Sequence, residues 1–386
     1  MKNSKYIKSA YLDFYNSNNI LPVSQDLSNL NFFISRRNYL YRTLGIPLNF
    51  IKDREVLEVG PGGGFNAVAT SYYSPNEYSF IDGSLKGIKD LKIRNKKKLF
   101  NAKKVKIIYS NFFDYTSSKK YDILIAEGIF PGQRNPQYLL KKSGNFLKKN
   151  GILITTTNSG ESMLSEICRK ILSIKLFENC KTLEEKVTVS SNFFFSHLKS
   201  LNVQTRPIKD WVLDNIVNII EDGDYLFDLK KVVKILNNKF EFYNSSPSFF
   251  TDDRWYKEVD ISKYNFNSRV LFQYQKISPY FIDKRVRFGA LFNLDISKQI
   301  SKLCIKQFHI GNKILIKKDY KYMNEFNINL KKIKLLLPEN FKITKIAIDD
   351  FLKSFKSFYA KPNCNQFKIF KNWWGRGTQY VSLIKK

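Results

Sequence analysis

Residues 55–64, Glu-Val-Leu-Glu-Val-Gly-Pro-Gly-Gly-Gly, constrain this chain more than any other stretch. Val56, Leu57 and Val59 make a short apolar run suited to a buried parallel strand. Gly60, Gly62, Gly63 and Gly64 follow at once, and Phe65–Ala69 reads as an opening helix. A strand that breaks into glycines and re-enters a helix lays bare backbone beside a ligand. Glu58 adds a fixed carboxylate near the strand end. Asp82 closes a second apolar run, Tyr78–Ile81, eighteen residues after Gly64. In a doubly wound fold an acid at that place accepts hydrogen bonds from a ribose diol. A glycine-rich turn alone is a weak signal; joined to Asp82 it is much stronger.

The pattern around these residues predicts an α/β chain with a Rossmann-like, doubly wound sheet. Strands are expected near 55–60, 77–82, 104–109, 121–127 and 151–156, and helices near 64–73, 85–97 and 135–148. Two helices, Tyr6–Asn16 and Ser35–Leu44, are expected before the core, the second with Ser35 as its N-cap. Residues 1–50 are read as an N-terminal helical segment and 51–157 as the binding core. Residues 158–238 are read as a helical cap, from Glu161–Phe177, Val189–Leu201, Asp210–Ile220 and Leu229–Leu236. Final core strands are placed in 239–250, around Phe240–Tyr243, and in 366–386, after Trp373-Trp374. Residues 251–365 are then a helical subdomain, either inserted or C-terminal.

The stretch Glu58-x-Gly60-x-Gly62-x-Gly64 resembles motif I of class I S-adenosylmethionine-dependent methyltransferases. Further segments fit. Ser110–Asp114 follows the strand-like Val105–Tyr109, Tyr121–Glu127 resembles strand four with its motif, and Leu147–Thr156 resembles the turn and strand five. The resemblance implies S-adenosylmethionine as cofactor and a last strand that runs antiparallel. It implies that Gly60, Pro61, Gly62 and Gly64 lie against the amino-acid part of that cofactor. Asp82 would take the ribose, with Gly83 beside it among the cofactor-binding residues, Asn111 and Phe112 the adenine, and Glu127 would stand near the sulfonium. A nicotinamide-binding Rossmann domain is the competing reading of the glycine turn. More loosely, the layout resembles methyltransferases of bacterial surface-polysaccharide synthesis.

Glu58 is read in two ways, as holder of the cofactor amino group or as a cap on the helix N-terminus. For Phe112 the alternative is an ordinary core aromatic. Glu127-Gly128-Ile129-Phe130 departs from the Asp/Asn-Pro-Pro-Tyr motif of amino methyltransferases, so a hydroxyl or carboxyl acceptor fits better than a base amine. A hydroxyl needs its proton removed. Glu127 is the candidate to take that proton or to orient the acceptor, and His197 and His309 are the alternative bases. Arg36 and Arg37 either point to the cofactor site or are surface charges on a packing helix. Three aromatic clusters, around Trp211, around Trp255-Tyr256 and at Trp373-Trp374, are either sugar platforms or wedges between helices.

Composition closes off several classes. Hydrophobic residues make up 43% of the chain, a globular proportion. The four cysteines are scattered, with no metal-ligand spacing, so no metal is expected, and a reducing cytoplasm is the expected compartment. No apolar run is long enough to span a bilayer, and the polar Met1–Tyr6 lacks an apolar signal segment. The net charge of +31 invites a nucleic-acid reading. Its lysines are spread along the whole chain, as low-GC codon bias would leave them, so an RNA methyltransferase is the alternative and not the favoured reading. O-methylation of a small-molecule acceptor, or of an anionic glycan or lipid-linked sugar, is the expected function; a non-catalytic nucleotide-binding protein is the remaining alternative.

Overall fold

The chain is described from a computed structural model over residues 10–21, 23–202, 206–218, 225–236, 239–260 and 265–386. Seven strands share one sheet: β1 (Glu55–Val59), β2 (Glu77–Asp82), β3 (Lys104–Tyr109), β4 (Tyr121–Ala126), β5 (Leu147–Thr157), β6 (Phe240–Ser246) and β7 (Gln379–Lys385). Their order is β3-β2-β1-β4-β5-β7-β6. β1 to β5 pair in parallel, whereas β7 is antiparallel to both β5 and β6, the expected reversal of the last strand. The order turns back between β1 and β4, and ligands of such sheets sit outside the strand ends at that point.

The central strands read as continuous apolar runs because both sheet faces are covered. Ile123 and Ile125 of β4 face one apolar cluster, and Leu124 and Ala126 face the other. The first cluster takes α2 (Leu30–Thr43), α3 (Phe65–Ser71) and α4 (Leu85–Lys96), through Tyr41, Val68 and Leu91. A short helix, α1 (Ala10–Ser17), precedes them. The second cluster takes α5 (Pro136–Asn145), α6 (Leu164–Leu176), α7 (Leu183–Lys199), α8 (Ile208–Val212) and α9 (Leu229–Leu236). Between β6 and β7 come α10 (Phe266–Ile277), α11 (Leu294–Lys317), α12 (Met323–Leu336) and α13 (Lys342–Ala360), and they join that same apolar cluster. Arg169 of α6, wholly buried, ties the lead-in to β7 down by donating to the carbonyl of Trp373 at 2.6 Å.

Several element bounds differ from expectation. α2 begins at Leu30, not Ser35, because the Asn29 side chain accepts from the Phe32 amide at 3.0 Å. α7 begins six residues before Val189, at a capping box between Thr182 and Glu185. β5 begins at Leu147, four residues early, and passes through Asn150 in a left-handed conformation (φ 62°). β4 ends at Ala126, so Glu127 is the first residue of the following loop and not the last of the strand. The expected Asp210–Ile220 helix is α8 followed by a π turn, Leu213–Val217. Residues 6–9 of the first expected helix, and Ile219 and Ile220, lie outside the described residues.

Candidate active site

A cleft of about 360 Å³ opens over the ends of β1, β2 and β4, a size suited to a nucleoside cofactor. Gly60, Pro61 and Gly62 form one wall. Gly62 has φ +57°, and a Cβ there would stand 2.7 Å from Val23 Cγ2. Gly64 behaves differently from expectation. It does not line the cleft; at φ +80° it starts α3, and a Cβ would drive 2.6 Å from Leu91 Cδ2. This glycine serves the packing of α3 on α4 and leaves no room for a side chain, so its service to the cofactor is indirect.

Asp82 holds the loop in shape. Its Oδ2 accepts from the Gly62 amide at 2.9 Å and its Oδ1 from the Ser84 amide at 2.7 Å. Burial pushes its carboxyl up to about 6 against the pull of those two bonds. Each carboxylate oxygen has a second lone pair, so room for a diol remains. Gly83 lines the cleft beside it.

Glu58 is buried and accepts a hydrogen bond from the Tyr78 hydroxyl. Burial, and then the nearby charge of Glu127, push it up to about 7, with Tyr78 opposing. It does not cap α3, whose start has no side-chain cap, so the helix-cap reading falls away. Asn111 and Phe112 line the cleft at the end of β3. The Asn111 Oδ1 accepts from the Phe113 amide at 2.9 Å, which fixes the turn, and Phe112 also packs on Phe146 with centroids 5.9 Å apart. Phe112 is thus both core aromatic and cleft wall.

Glu127 is clamped. Its two oxygens accept from Arg37 Nη1 at 3.1 Å and Nη2 at 2.5 Å, and Asn66 Nδ2 adds a third bond at 2.9 Å. Arg37 is buried; burial alone would lower it, but the Glu127 carboxylate together with Tyr41 and Tyr380 outweighs this and holds it well above its usual range. Of the Arg36–Arg37 pair, then, Arg37 belongs to the site. His197 does not. It is wholly buried among the rings of Phe193, Phe194 and Phe370, away from the cleft lining. Burial, with Arg169 and Lys371 next, holds it well below the usual histidine range. His309 is exposed on α11. Trp211, Trp373 and Trp374 are buried wedges; Trp255 and Tyr256 are exposed.

The roof has no counterpart in the sequence reading. Leu12, Tyr15, Leu21 and Val23 cover the cleft from the N-terminal stretch. They are pinned there by Tyr15, which donates to Asp214 at 2.6 Å, and by the Ser24 amide, which donates to Asp210 at 2.9 Å. Arg206 also donates to Asp214, at 2.8 Å. No sequence signal marks it; the π turn that carries Asp214 is visible only in the fold, where such turns gather at functional sites.

A carboxylate beside a left-handed glycine loop and an acid at the end of β2 accept from an ammonium and a ribose diol, and an amide–aromatic pair at the end of β3 can flank a base, the set that a nucleoside amino acid requires. With the reversed β7, these features define the class I methyltransferase fold. The fold is that of the class I S-adenosylmethionine-dependent methyltransferases, and the cleft's lining suits S-adenosylmethionine. No family model matches the chain. It is similar to malonyl-[acyl-carrier protein] O-methyltransferase 2 of Ilyobacter polytropus, 24% identical over 232 residues, covering 57% of this chain and 80% of the relative. Among solved structures it is similar to the N-methyltransferase NodS of Bradyrhizobium japonicum, crystallised with S-adenosylhomocysteine, at 10% identity and a TM-score of 0.37, covering 62% of this chain and 89% of that one. It is also similar to PKMT2 of Rickettsia typhi, at 16% identity and a TM-score of 0.40, covering 60% of this chain and 48% of that one. Among the described residues no group of side chains could hold a metal ion, and no helix is long and apolar enough to cross a membrane.

Proposed function

We propose that the protein transfers the sulfonium methyl to an acceptor oxygen, and that this oxygen belongs to a carboxylate on a small molecule or on a glycan- or lipid-linked sugar. The observation that carries this reading is the state of the cleft's acids. Four carboxylates line it, and each has a task other than the acceptor's proton: Asp82 holds the glycine loop and the ribose, Glu58 faces the cofactor's ammonium, Glu127 is clamped by Arg37 and Asn66, and Asp214 takes Tyr15 and Arg206. Among the described residues no histidine, lysine or cysteine lines it. A hydroxyl or ammonium acceptor needs a group free to take its proton. A carboxylate is already ionised at neutral pH and needs none. Glu127 then orients Arg37 and the acceptor and takes no proton. The relative from Ilyobacter is an O-methyltransferase by name, which supports oxygen as the acceptor atom.

The test uses S-adenosylmethionine tritiated in its methyl group, incubated with the protein and fractionated cell extract. Methyl esters release volatile methanol in mild alkali, whereas methyl ethers and methylamines do not. Alkali-volatile counts in a small-molecule or glycan fraction are expected. Stable counts would mean another acceptor atom, and counts carried on RNA would establish the RNA methyltransferase alternative.

A further inference from the structure

Beside the cofactor cleft lies a second, open groove of about 860 Å³. Its walls are α2, the loop after β6, residues 284–288 and the segment that leads into β7. Asn66 and Thr378 line both cavities. The Arg37–Glu127 pair joins them, with Arg37 in the groove and Glu127 in the cleft. The groove and the cleft are therefore neighbours that share a wall.

The groove is cationic in a selective way. Arg36, Arg37, Lys284, Arg287 and Arg376 line it, and among the described residues no carboxylate does. Thirteen of the chain's 65 basic residues are arginines. Four of these five cations are. Lysines scattered by codon bias would leave the chain's own ratio, so that bias does not account for this groove. Arginine's planar fork matches phosphate oxygens two at a time, which a lysine ammonium does not. Arg376 donates to the carbonyls of Asp283 at 2.7 Å and Val286 at 2.9 Å, bonds that fix it without cancelling its charge. Arg36, Lys284 and Arg287 are exposed. Arg37 is answered by Glu127, and Asp283 stands near Lys284 and Arg376, but no acid lines the groove itself, so its open face is positive and attracts an anion.

We propose that this groove holds a phosphate group of the methyl acceptor, a phosphomonoester or a diphosphate, and so directs the acceptor's reactive end past Asn66 into the cleft. The proposal rests on the methyltransferase reading above. It is tested separately by titrating the full chain with inorganic pyrophosphate in a calorimeter, with a parallel titration by S-adenosylmethionine. Pyrophosphate should bind, and Arg36→Ala/Arg287→Ala should weaken it about tenfold or more, while S-adenosylmethionine affinity is unchanged. Lys331→Ala/Lys332→Ala, an exposed pair on α12, should weaken it little. No pyrophosphate binding, or equal weakening by both variants, overturns the proposal and leaves the methyltransferase reading intact. Loss of S-adenosylmethionine binding by the unaltered chain would overturn that reading itself. Should the alanine pair fail to fold, Arg36→Gln/Arg287→Gln carries the same test. Competition against pyrophosphate by uridine diphosphate or by phosphatidylglycerol vesicles names a nucleotide-linked or a lipid-linked source; competition by neither points to a small phosphate ester.

Discussion

Arg37 closes both terminal nitrogens on the two oxygens of Glu127, across 90 residues of sequence, and both side chains are about nine-tenths buried. Removing one partner of such a pair leaves a buried charge with no counter-charge. Glu127→Ala is therefore expected to cost about 3–5 kcal/mol in denaturant unfolding. Arg37→Met with Glu127→Met should recover most of that loss, because neither charge is then stranded.

Glu127→Gln separates orientation from proton transfer. Glutamine keeps the size but turns an amide NH2 against one Arg37 nitrogen, donor against donor, so the pair is misplaced, and it cannot take a proton. Turnover is expected to fall about 10²-fold, the usual cost of a misplaced group, with cofactor affinity nearly unchanged. The pH–rate profile should keep its wild-type shape. A profile that loses its rising limb in the variant would make Glu127 the base after all.

Asp82→Ala removes the acceptor for the Gly62 and Ser84 amides as well as a partner for the ribose. Calorimetry should show S-adenosylmethionine bound more weakly by ~1–3 kcal/mol. The free protein should also melt lower, since two buried amides lose their partner. An unchanged melting point with weakened cofactor binding would mean that Asp82 serves the ligand alone.

Much of the sheet was legible because β1, β2 and β4 are buried on both faces and so are mainly apolar, with only Glu58, Ser79 and Asp122 inside the runs. β5 was legible only from residue 151 onward. Its first residues include Lys148, Lys149 and Asn150, which read as a turn because they are exposed or half-buried at the strand's entry. The start of α7 was marked in the sequence by Thr182 and Glu185, whose spacing is that of a capping box. Apolar periodicity, the signal followed there, begins later. The loop, Asp82 and Asn111 could be placed because they are close to strand ends. The clamp on Glu127 and the roof at Tyr15 could not, because each joins residues far apart in sequence that no period relates.

His197 has neither ring nitrogen paired among the described residues, inside a cage of phenylalanines. An unpaired buried polar group contributes nothing that an apolar one of similar shape would not. His197→Phe should leave turnover unchanged, which removes it from the catalytic residues. Its native value lies below the ordinary histidine range, so the unfolded chain binds the proton more readily. Wild-type stability should therefore fall as pH drops below about 6.5, and the variant should lack that component of the fall. A large loss of turnover in a fully folded variant would restore His197 as a candidate.

Glu58 titrates the other way. Its native value is raised to about 7, against roughly 4.3 in an unfolded chain, so the folded protein holds the proton more tightly. The stability this group contributes is fully present below about pH 4, declines as pH rises towards 7, and is level above that. Glu58→Gln should flatten that decline, whose full size is on the order of 3 kcal/mol. S-adenosylmethionine carries a sulfonium and an ammonium, both of which favour the ionised carboxylate. Binding should release a proton from Glu58, and affinity should be about tenfold tighter at pH 8 than at pH 6. Calorimetry in two buffers of different ionisation enthalpy counts that proton directly. If the unaltered protein releases none near pH 6.5, or if Glu58→Gln shows the same pH dependence, Glu58 does not face the cofactor's charged end and the orientation inferred for the ligand in the cleft is wrong.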